Sequence, residues 1–174
     1  MANTTGKKIK DVAIIGGCAS LIYLTIGDIS YRLSLSRGGL NSKLITDMVA
    51  KSAAKKPKNE YKEKLDSMID DGADWFMHQD TEKIIIEKKH RQSLYADLIR
   101  PDKPSNVYII CIHGYTSSPA NMGIYAKKYH ELGYNVLLPS LRGHGDSEQD
   151  FITMGWNDRL DVIEWINYIA ERHP

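Results

Sequence analysis

The chain has 174 residues, of which 42% are hydrophobic and 26% charged, and its formal net charge is +1. This composition is typical of a globular chain with room for one domain, and it excludes disordered, collagenous and disulfide-rich proteins. Residues 1–64 carry 12 Lys and Arg against 5 Asp and Glu, whereas residues 65–174 carry 11 against 17. Because the basic residues are dispersed without interleaved aromatics, they favour proximity to an anionic membrane over binding of nucleic acid.

A targeting segment is predicted over residues 1–36. Residues 12–26 form an uncharged, strongly apolar run that follows three lysines. The run is shorter than the ~20 residues that cross a bilayer, but apolar residues up to Leu35 extend it if Asp28 lies at the interface. We therefore expect an uncleaved signal anchor. The alternatives are a cleaved signal peptide, disfavoured because no A-x-A-like site follows, and a buried soluble helix.

This anchor predicts a single-pass membrane protein whose folded domain is extracytoplasmic, with a secreted protein as the alternative. Lysines precede the apolar run, but basic residues such as Arg32 and Arg37 also follow it and weaken the charge rule for orientation. Cys18 and Cys111 lie far apart in apolar runs, and neither the cysteines nor the six histidines show the spacing of a metal site. No metal, cofactor or disulfide is predicted.

Two amphipathic helices are predicted in a helical extension over residues 37–79. The first has apolar residues at helical spacing over 44–52, and the second runs from about Asn59 to Phe76, with Pro57 between them. Such stripes suit a membrane-side stalk or a binding surface, but more often they pack on their own domain, which is the interpretation that we favour.

Residues 80–174 have the pattern of an α/β domain. β-Branched residues over 83–87 and loose alternation over 93–99 predict a β-hairpin with its turn at 90–92. Residues 107–112 are continuously apolar, as in a strand covered on both faces, and a helix from Met122 that ends at Gly133 leads to a short strand over 135–139. Strand, helix and strand in this order predict a parallel βαβ unit with helical cover, whose ligand loops follow the strands.

Three motifs follow one another in this region. They are HGYTSS after the first buried strand, LPSLRGHGDSE after the second, and GWNDRLDVIEWI at the start of a broadly apolar helix. In this order they resemble the α/β-hydrolase family, within it the serine-aminopeptidase or monoglyceride-lipase-like branch. The resemblance covers about residues 80–174, the N-terminal part of such a domain. It implies hydrolysis of an ester or amide in an acyl-type small molecule or peptide, without a cofactor.

The resemblance implies a role for the first motif. In the family, the loop after this strand supplies one backbone N–H to the oxyanion hole. By position that donor is Tyr115, with Gly114 allowing a tight turn beneath the acyl carbonyl and His113 supporting the loop. The alternative is a simple strand-ending turn. The oxyanion interpretation is favoured because the second motif follows in register.

The second motif is interpreted as a structural loop. Its glycines, Gly143 and Gly145, suit a folded loop around His144, while Arg142 and Asp146 are expected to brace it through hydrogen bonds and charge pairing. A GDS-type nucleophile at Ser147 is discounted, because that motif belongs after the first strand of a different hydrolase fold. The following helix repeats Leu160, Ile163, Ile166 and Ile169. Trp156, Val162 and Trp165 lie alongside them, and this broadly apolar helix is expected to cover a sheet face.

The family's nucleophile lies in a G-x-S-x-G elbow, and no such sequence occurs in the 174 residues. We therefore expect a truncated or partial serine hydrolase that is inactive alone and whose apolar central strand, residues 107–112, is exposed to pairing. The alternative is a non-catalytic, membrane-associated interaction protein built on a partial hydrolase fold.

Overall fold

A computed structural model describes residues 2–37, 47, 52, 59–87 and 92–172, with the backbone alone for residues 2–16. Four strands form one mixed sheet. They are β1 (Thr81–Ile86), β2 (Leu94–Ile99), β3 (Tyr108–Ile110) and β4 (Asn135–Ser140). The helices are α1 (Ala2–Leu35), α2 (Glu60–Met77), α3 (Gly123–Glu131) and α4 (Asp158–Arg172), and a short 3-10 helix, Pro119–Met122, precedes α3.

The sheet has the strand order β1-β2-β4-β3. β1 and β2 pair antiparallel, from Thr81 opposite Ile99 to Ile86 opposite Leu94, which confirms the predicted hairpin; its turn falls partly outside the described residues. β3 and β4 pair parallel and are joined by α3, which confirms the βαβ unit. β4 also pairs antiparallel with β2, so the hairpin and the βαβ unit form one sheet. The carboxyl ends of β3 and β4 therefore meet at one edge.

Apolar clusters lie on both faces of the sheet. On one face, α2 and α3 pack through Phe76 and Ala126 against strand residues that include Val136 and Leu138. On the other face, Trp165 of α4 packs on the hairpin and on Leu137. Helices on both faces of a mixed sheet fit part of an α/β-hydrolase fold.

The predicted first buried strand is shorter and less buried than expected. The apolar run at 107–112 forms β3 over only three residues, which are half-buried, while Val107 and Ile112 are exposed. The physical reason is position, because β3 is the last strand in the sheet order and lacks a second neighbour among the described residues. The expectation of an exposed apolar edge at this strand agrees with the structure.

Helix α2 packs against the start of α3 at a pair of glycines. A Cβ placed on Gly123 would lie 2.0 Å from the carbonyl oxygen of Gly72, and a Cβ on Gly72 would lie 2.3 Å from the amide nitrogen of Ile124. Asn59 caps α2, because its side-chain oxygen accepts from the N–H of Tyr61 and Lys62. The second amphipathic stripe is therefore packed only toward its C-terminal end, at Gly72 and Phe76, while Tyr61, Leu65 and Met68 are exposed. The first, over 44–52, lies largely outside the described residues.

Helix α4 covers the sheet with only part of the apolar surface predicted for it. Leu160, Ile163 and Ile166 are exposed, whereas Trp165, Asp158 and Asp161 are buried. The prediction was wrong for the three exposed residues because it weighted apolar character alone. Two buried carboxylates, which bind the neighbouring loop, set the orientation of the helix instead.

The N-terminal run lies within α1, whose side chains are exposed over residues 17–34. Among the described residues, no helix combines the length and apolar character required to span a bilayer. The membrane-spanning form of the predicted anchor is therefore not supported. The end of α1 contacts the sheet domain. Leu35, its last residue, accepts a hydrogen bond of 2.7 Å from the Ile152 N–H, and Ser36, just after it, forms an isolated β-bridge with Phe151.

Candidate functional site

The HGYTSS loop follows β3 at the carboxyl edge of the sheet. Its tight turn is centred on Thr116, which has a left-handed φ of 56°, and the Ser117 N–H donates to the Gly114 carbonyl at 3.2 Å. Gly114 itself has no positive φ, and a Cβ there would meet nothing within 4 Å. The left-handed position of the turn is therefore taken by Thr116, and the role expected for Gly114 beneath an acyl carbonyl stays a prediction.

Tyr115 lies between these two residues, with 42% of its surface exposed. Its side-chain hydroxyl donates to the carbonyl of Ser34, at the end of α1. Its backbone N–H has no acceptor among the described residues. A free N–H at a strand's carboxyl end is available to a ligand oxygen.

The loop over residues 141–147 follows β4 and lies beside the first loop. Arg142 forms a two-pronged ion pair with Asp161, with Nε–Oδ2 and Nη2–Oδ1 distances of 2.7 and 2.8 Å. This carboxylate raises the pKa of Arg142 through hydrogen bonding and charge, against the opposing effect of burial. The Arg142 N–H also donates to Asp158, whose other oxygen accepts from Thr153 and from the Gly155 N–H. Two carboxylates at the start of α4 thus hold this loop.

Asp146 braces the far end of the same loop. Its carboxylate lies 2.9 Å from Nζ of Lys83 in β1, which is also 2.9 Å from the buried carboxylate of Asp97 in β2. Hydrogen bonds to Asp146 and then to Asp97 raise the pKa of Lys83. Arg142 and Asp146 therefore each make the charge pairing predicted for them, with partners outside the loop.

The two glycines of the second loop have left-handed φ angles of 73° at Gly143 and 51° at Gly145. A Cβ on Gly143 would lie 2.8 Å from the amide nitrogen of Ile152, and one on Gly145 would lie 2.7 Å from the Ser140 hydroxyl oxygen. Both positions thus require glycine for conformation and for space. This fits the structural role predicted for them.

His113 and His144 join the two loops. Nε2 of His113 accepts from the Leu141 N–H at 3.1 Å, and Nε2 of His144 accepts from the Thr116 N–H at 3.2 Å. His113 is 2% exposed and His144 is 9% exposed. Burial is the main cause that lowers the pKa of His113. His113 therefore supports its loop through a hydrogen bond to the neighbouring loop.

The end of α1 lies over the second loop. The Arg37 guanidinium donates to the carbonyls of Gly145 and Ser147, and the Tyr31 ring lies 5.6 Å from the Phe151 ring. A cavity of about 420 Å³ remains between this segment and the two loops. Polar groups from both sides line it, including Ser34, Ser36, Arg37, Thr116, Ser117, Ser118, Asn121 and His144.

Within the described part of the chain, the nucleophilic side chains near the site form no hydrogen bond with a base. Ser147 is 3% exposed and donates to Gln149, while Ser117 accepts from Asn121. Among the described residues, none of the hydrogen bonds of the Ser117 and Ser147 hydroxyls goes to a histidine. Burial raises the pKa of the Cys111 thiol to about 11, which disfavours the reactive thiolate. Within the part of the chain that the structure describes, no group of His, Cys, Asp or Glu has the arrangement of a metal site.

Sequence reasoning missed several residues that hold the site. Asp158 and Asp161 were assigned only to an apolar helix motif and Lys83 only to a strand, so no role at the site was predicted for them. Their partners are 16, 19 and 63 residues away, respectively. One usable signal was present, because two acidic residues three apart in the first turn of a helix commonly bind neighbouring N–H groups or arginine.

Parts of known hydrolases resemble this chain. A thermostable monoacylglycerol lipase of Bacillus sp. (strain H-257) is 29% identical over 39% of this chain and 36% of the lipase. An esterase of Pyrococcus furiosus, solved in two crystal forms, has a TM-score of 0.50 and 25% identity, covering 57% of this chain and 38% or 39% of the esterase. No protein-family model matches the chain. The chain spans under half the length of these relatives, and the likenesses support a relationship to the α/β-hydrolases.

Proposed function

We propose that this chain supplies the oxyanion loop of a serine hydrolase that cleaves ester-type substrates through an acyl-enzyme. The observation that carries the proposal is the backbone N–H of Tyr115, which has no acceptor among the described residues and lies at the carboxyl edge of the sheet. A preorganised N–H at this place is what acyl transfer requires, because negative charge develops on the carbonyl oxygen in the transition state. The similarity to a lipase and an esterase favours an ester-type small molecule.

The loop is built to keep this N–H in place. Thr116 holds a left-handed conformation directly after Tyr115, and its own N–H is bound by His144. The neighbouring loop is fixed in turn by the ion pair of Arg142 with Asp161. Preorganised donors stabilise a transition state because they need no rearrangement during the reaction. A Cβ at Gly114 would meet nothing within 4 Å, so the space beside this residue is open.

A donor alone does not turn over substrate, since the acyl-enzyme needs a nucleophile and its base. The 174 residues contain no G-x-S-x-G. We therefore propose that these residues are inactive alone and belong to a hydrolase whose elbow and triad lie in sequence after Pro174. If the sequence after Pro174 is unrelated to a hydrolase, the alternative of a non-catalytic interaction protein is favoured instead.

Two observations test this proposal. The coding sequence after Pro174 is expected to contain a G-x-S-x-G, in frame or after a frame shift. The 174-residue chain is expected to show no labelling by a fluorophosphonate, whereas a product that includes the elbow is labelled at its serine. Stoichiometric labelling of the 174-residue chain would contradict the absence of a nucleophile.

The role of Tyr115 is tested in the product that includes the elbow. Tyr115→Pro removes the N–H and is expected to lower kcat by about 100- to 1000-fold, the usual effect of losing one oxyanion donor. The matched variant Tyr115→Phe keeps the N–H and is expected to lose much less. Thermal unfolding of both variants shows whether the proline has disturbed the fold. A folded Tyr115→Pro protein with nearly full kcat would contradict the assignment.

The N-terminal segment is proposed to bring this site to a membrane, with the hydrolase part on the extracytoplasmic side. The proposal is supported by the basic residues before the apolar run and by apolar side chains of α1 that are more than half exposed, such as Leu21 at 64% and Leu24 at 65%. Flotation with anionic vesicles tests it. The 174-residue chain is expected to float with the vesicles, whereas a chain that starts at residue 37 is expected to remain unbound. Equal behaviour of the two would contradict the proposal.

A further inference from the structure

The two histidines between the loops form a closely packed pair. The centroids of the His113 and His144 rings are 4.9 Å apart, and the rings meet edge to face at 70°. Both side chains are buried. One ring comes from the loop after β3 and the other from the loop after β4, so the pair sits where the two loops touch.

The hydrogen bonds of the pair are reciprocal. His113, in the first loop, accepts from the Leu141 N–H of the second loop, whereas His144, in the second loop, accepts from the Thr116 N–H of the first. Because each Nε2 faces a backbone N–H, each must carry a lone pair. The proton then lies on Nδ1, which donates to a carbonyl: that of Gly114 at 3.0 Å for His113, and that of Arg142 at 2.9 Å for His144.

We propose that His113 and His144 act as a reciprocal clasp that positions the oxyanion loop, and that the clasp closes only when both rings are neutral. His144 is the more direct of the two positioning residues, since it binds the N–H of Thr116. That residue holds the left-handed turn next to Tyr115. A non-glycine residue in this conformation is strained and persists only where its surroundings hold it. The oxyanion part of this inference rests on the proposed function, but the clasp itself does not.

Protonation of either ring would open the clasp. A proton on Nε2 removes the lone pair and places two N–H donors against each other, which leaves the buried backbone N–H unsatisfied. Two positive rings at this separation would also repel each other. Burial and, to a lesser degree, the influence of His144 already lower the pKa of His113. The charged groups around the pair are mixed in sign: the carboxylates of Asp158 and Asp161 and the guanidinium groups of Arg142 and Arg37.

The clasp is tested on the 174-residue chain by amide hydrogen exchange, read by NMR at Thr116 and expressed as protection relative to the intrinsic rate. His144→Gln places an amide oxygen near the position of Nε2 and is expected to keep the protection of the Thr116 N–H. His144→Leu cannot accept and is expected to lower this protection roughly two- to tenfold, as for one hydrogen bond. Equal protection in wild type and a folded His144→Leu chain would overturn the proposal.

Acid provides a second measurement that a merely structural role would not produce. In the wild type, protection of Thr116 is expected to fall once the pH is low enough to protonate the clasp. In His144→Gln the protection should fall less, because only His113 can still take up a proton. A Gln variant as acid-sensitive as the wild type would overturn the role of His144. So would imidazole nitrogen spectra that place the neutral proton on Nε2. A negative result for the clasp does not affect the kcat test of Tyr115, so the clasp and the oxyanion role of Tyr115 can be refuted independently.

Discussion

The two loops at the carboxyl edge of the sheet and the long helix α1 are held in opposite ways. The loops depend on buried partners: Asp158 and Asp161 are 6% and 5% exposed. The side chains of α1 are exposed over residues 17–34, and its ion pair between Arg32 and Asp28 is more than half exposed on both sides. The helix reaches the sheet domain through contacts that involve residues 31–37.

This contrast indicates where a single substitution lowers the free energy of unfolding most. A buried polar group that loses its partner keeps its desolvation cost, so each member of the loop network depends on the others. An exposed pair exchanges its partner for water with little loss. We therefore expect substitutions with the same chemistry to differ in effect between the two regions.

The largest difference is expected for the two arginine–aspartate pairs. Arg142→Leu leaves the buried Asp161 carboxylate without its partner, and it should lower the free energy of unfolding by about 3 kcal/mol, since Arg142 is itself partly exposed. Arg32→Leu in the exposed pair should change it by less than about 1 kcal/mol. Urea unfolding of both variants measures the difference. Similar effects would show that the loop network is not specially stabilising.

The next largest effect is expected for two glycines. A Cβ at Gly123 would overlap the carbonyl oxygen of Gly72, so Gly123→Ala must separate α2 from α3 and should lower the free energy of unfolding by about 2 kcal/mol. A Cβ at Gly27 in α1 meets nothing within 4 Å, and Gly27→Ala should raise helicity, because alanine favours a helix by roughly 1 kcal/mol over glycine. Thermal unfolding by circular dichroism compares them. A stabilised Gly123→Ala chain would contradict the close packing.

The third prediction concerns acid. Burial lowers the pKa of His113, so the folded chain binds this proton less readily than the unfolded chain does. The stabilisation is therefore fully present above about pH 6.5, the ordinary histidine value, and is lost as the pH falls toward the pKa of the folded state. His113→Gln keeps an acceptor for Leu141 and should flatten this slope. Urea midpoints between about pH 8 and 5 test it, and parallel slopes in the two chains would contradict it.

The local patterns predicted the sheet domain well. The β-branched run of β1 and the apolar runs of β3 and β4 each identify a strand within their own few residues, and Gly133 marks the end of α3 with its φ of 81°. Their order along the chain then determines the parallel pairing. The position of β3 at the end of the sheet order was not readable from its own residues, because edge position depends on neighbours.

The supports of the candidate site were harder to predict. His113 and Gly114 were identified through a motif, but the partners of the loops come from α4, β1 and the end of α1, far away in sequence. Position in a helix motif says little about which face is buried. Trp165 turned inward while Ile163 and Ile166 remained exposed, since the carboxylate of Asp161 had to reach Arg142.

The smallest effect is expected where the two regions meet. Tyr115→Phe removes the hydroxyl that donates to the Ser34 carbonyl but keeps the ring and the backbone N–H. Because this contact is exposed, we expect the free energy of unfolding to fall by less than about 1 kcal/mol. Hydrogen exchange over residues 31–37 should become faster. Tyr125→Phe, at an exposed position of α3, is the control and should change neither. If exchange instead rises over residues 113–118, the end of α1 is itself part of what holds the oxyanion loop, and the two regions are coupled rather than independent.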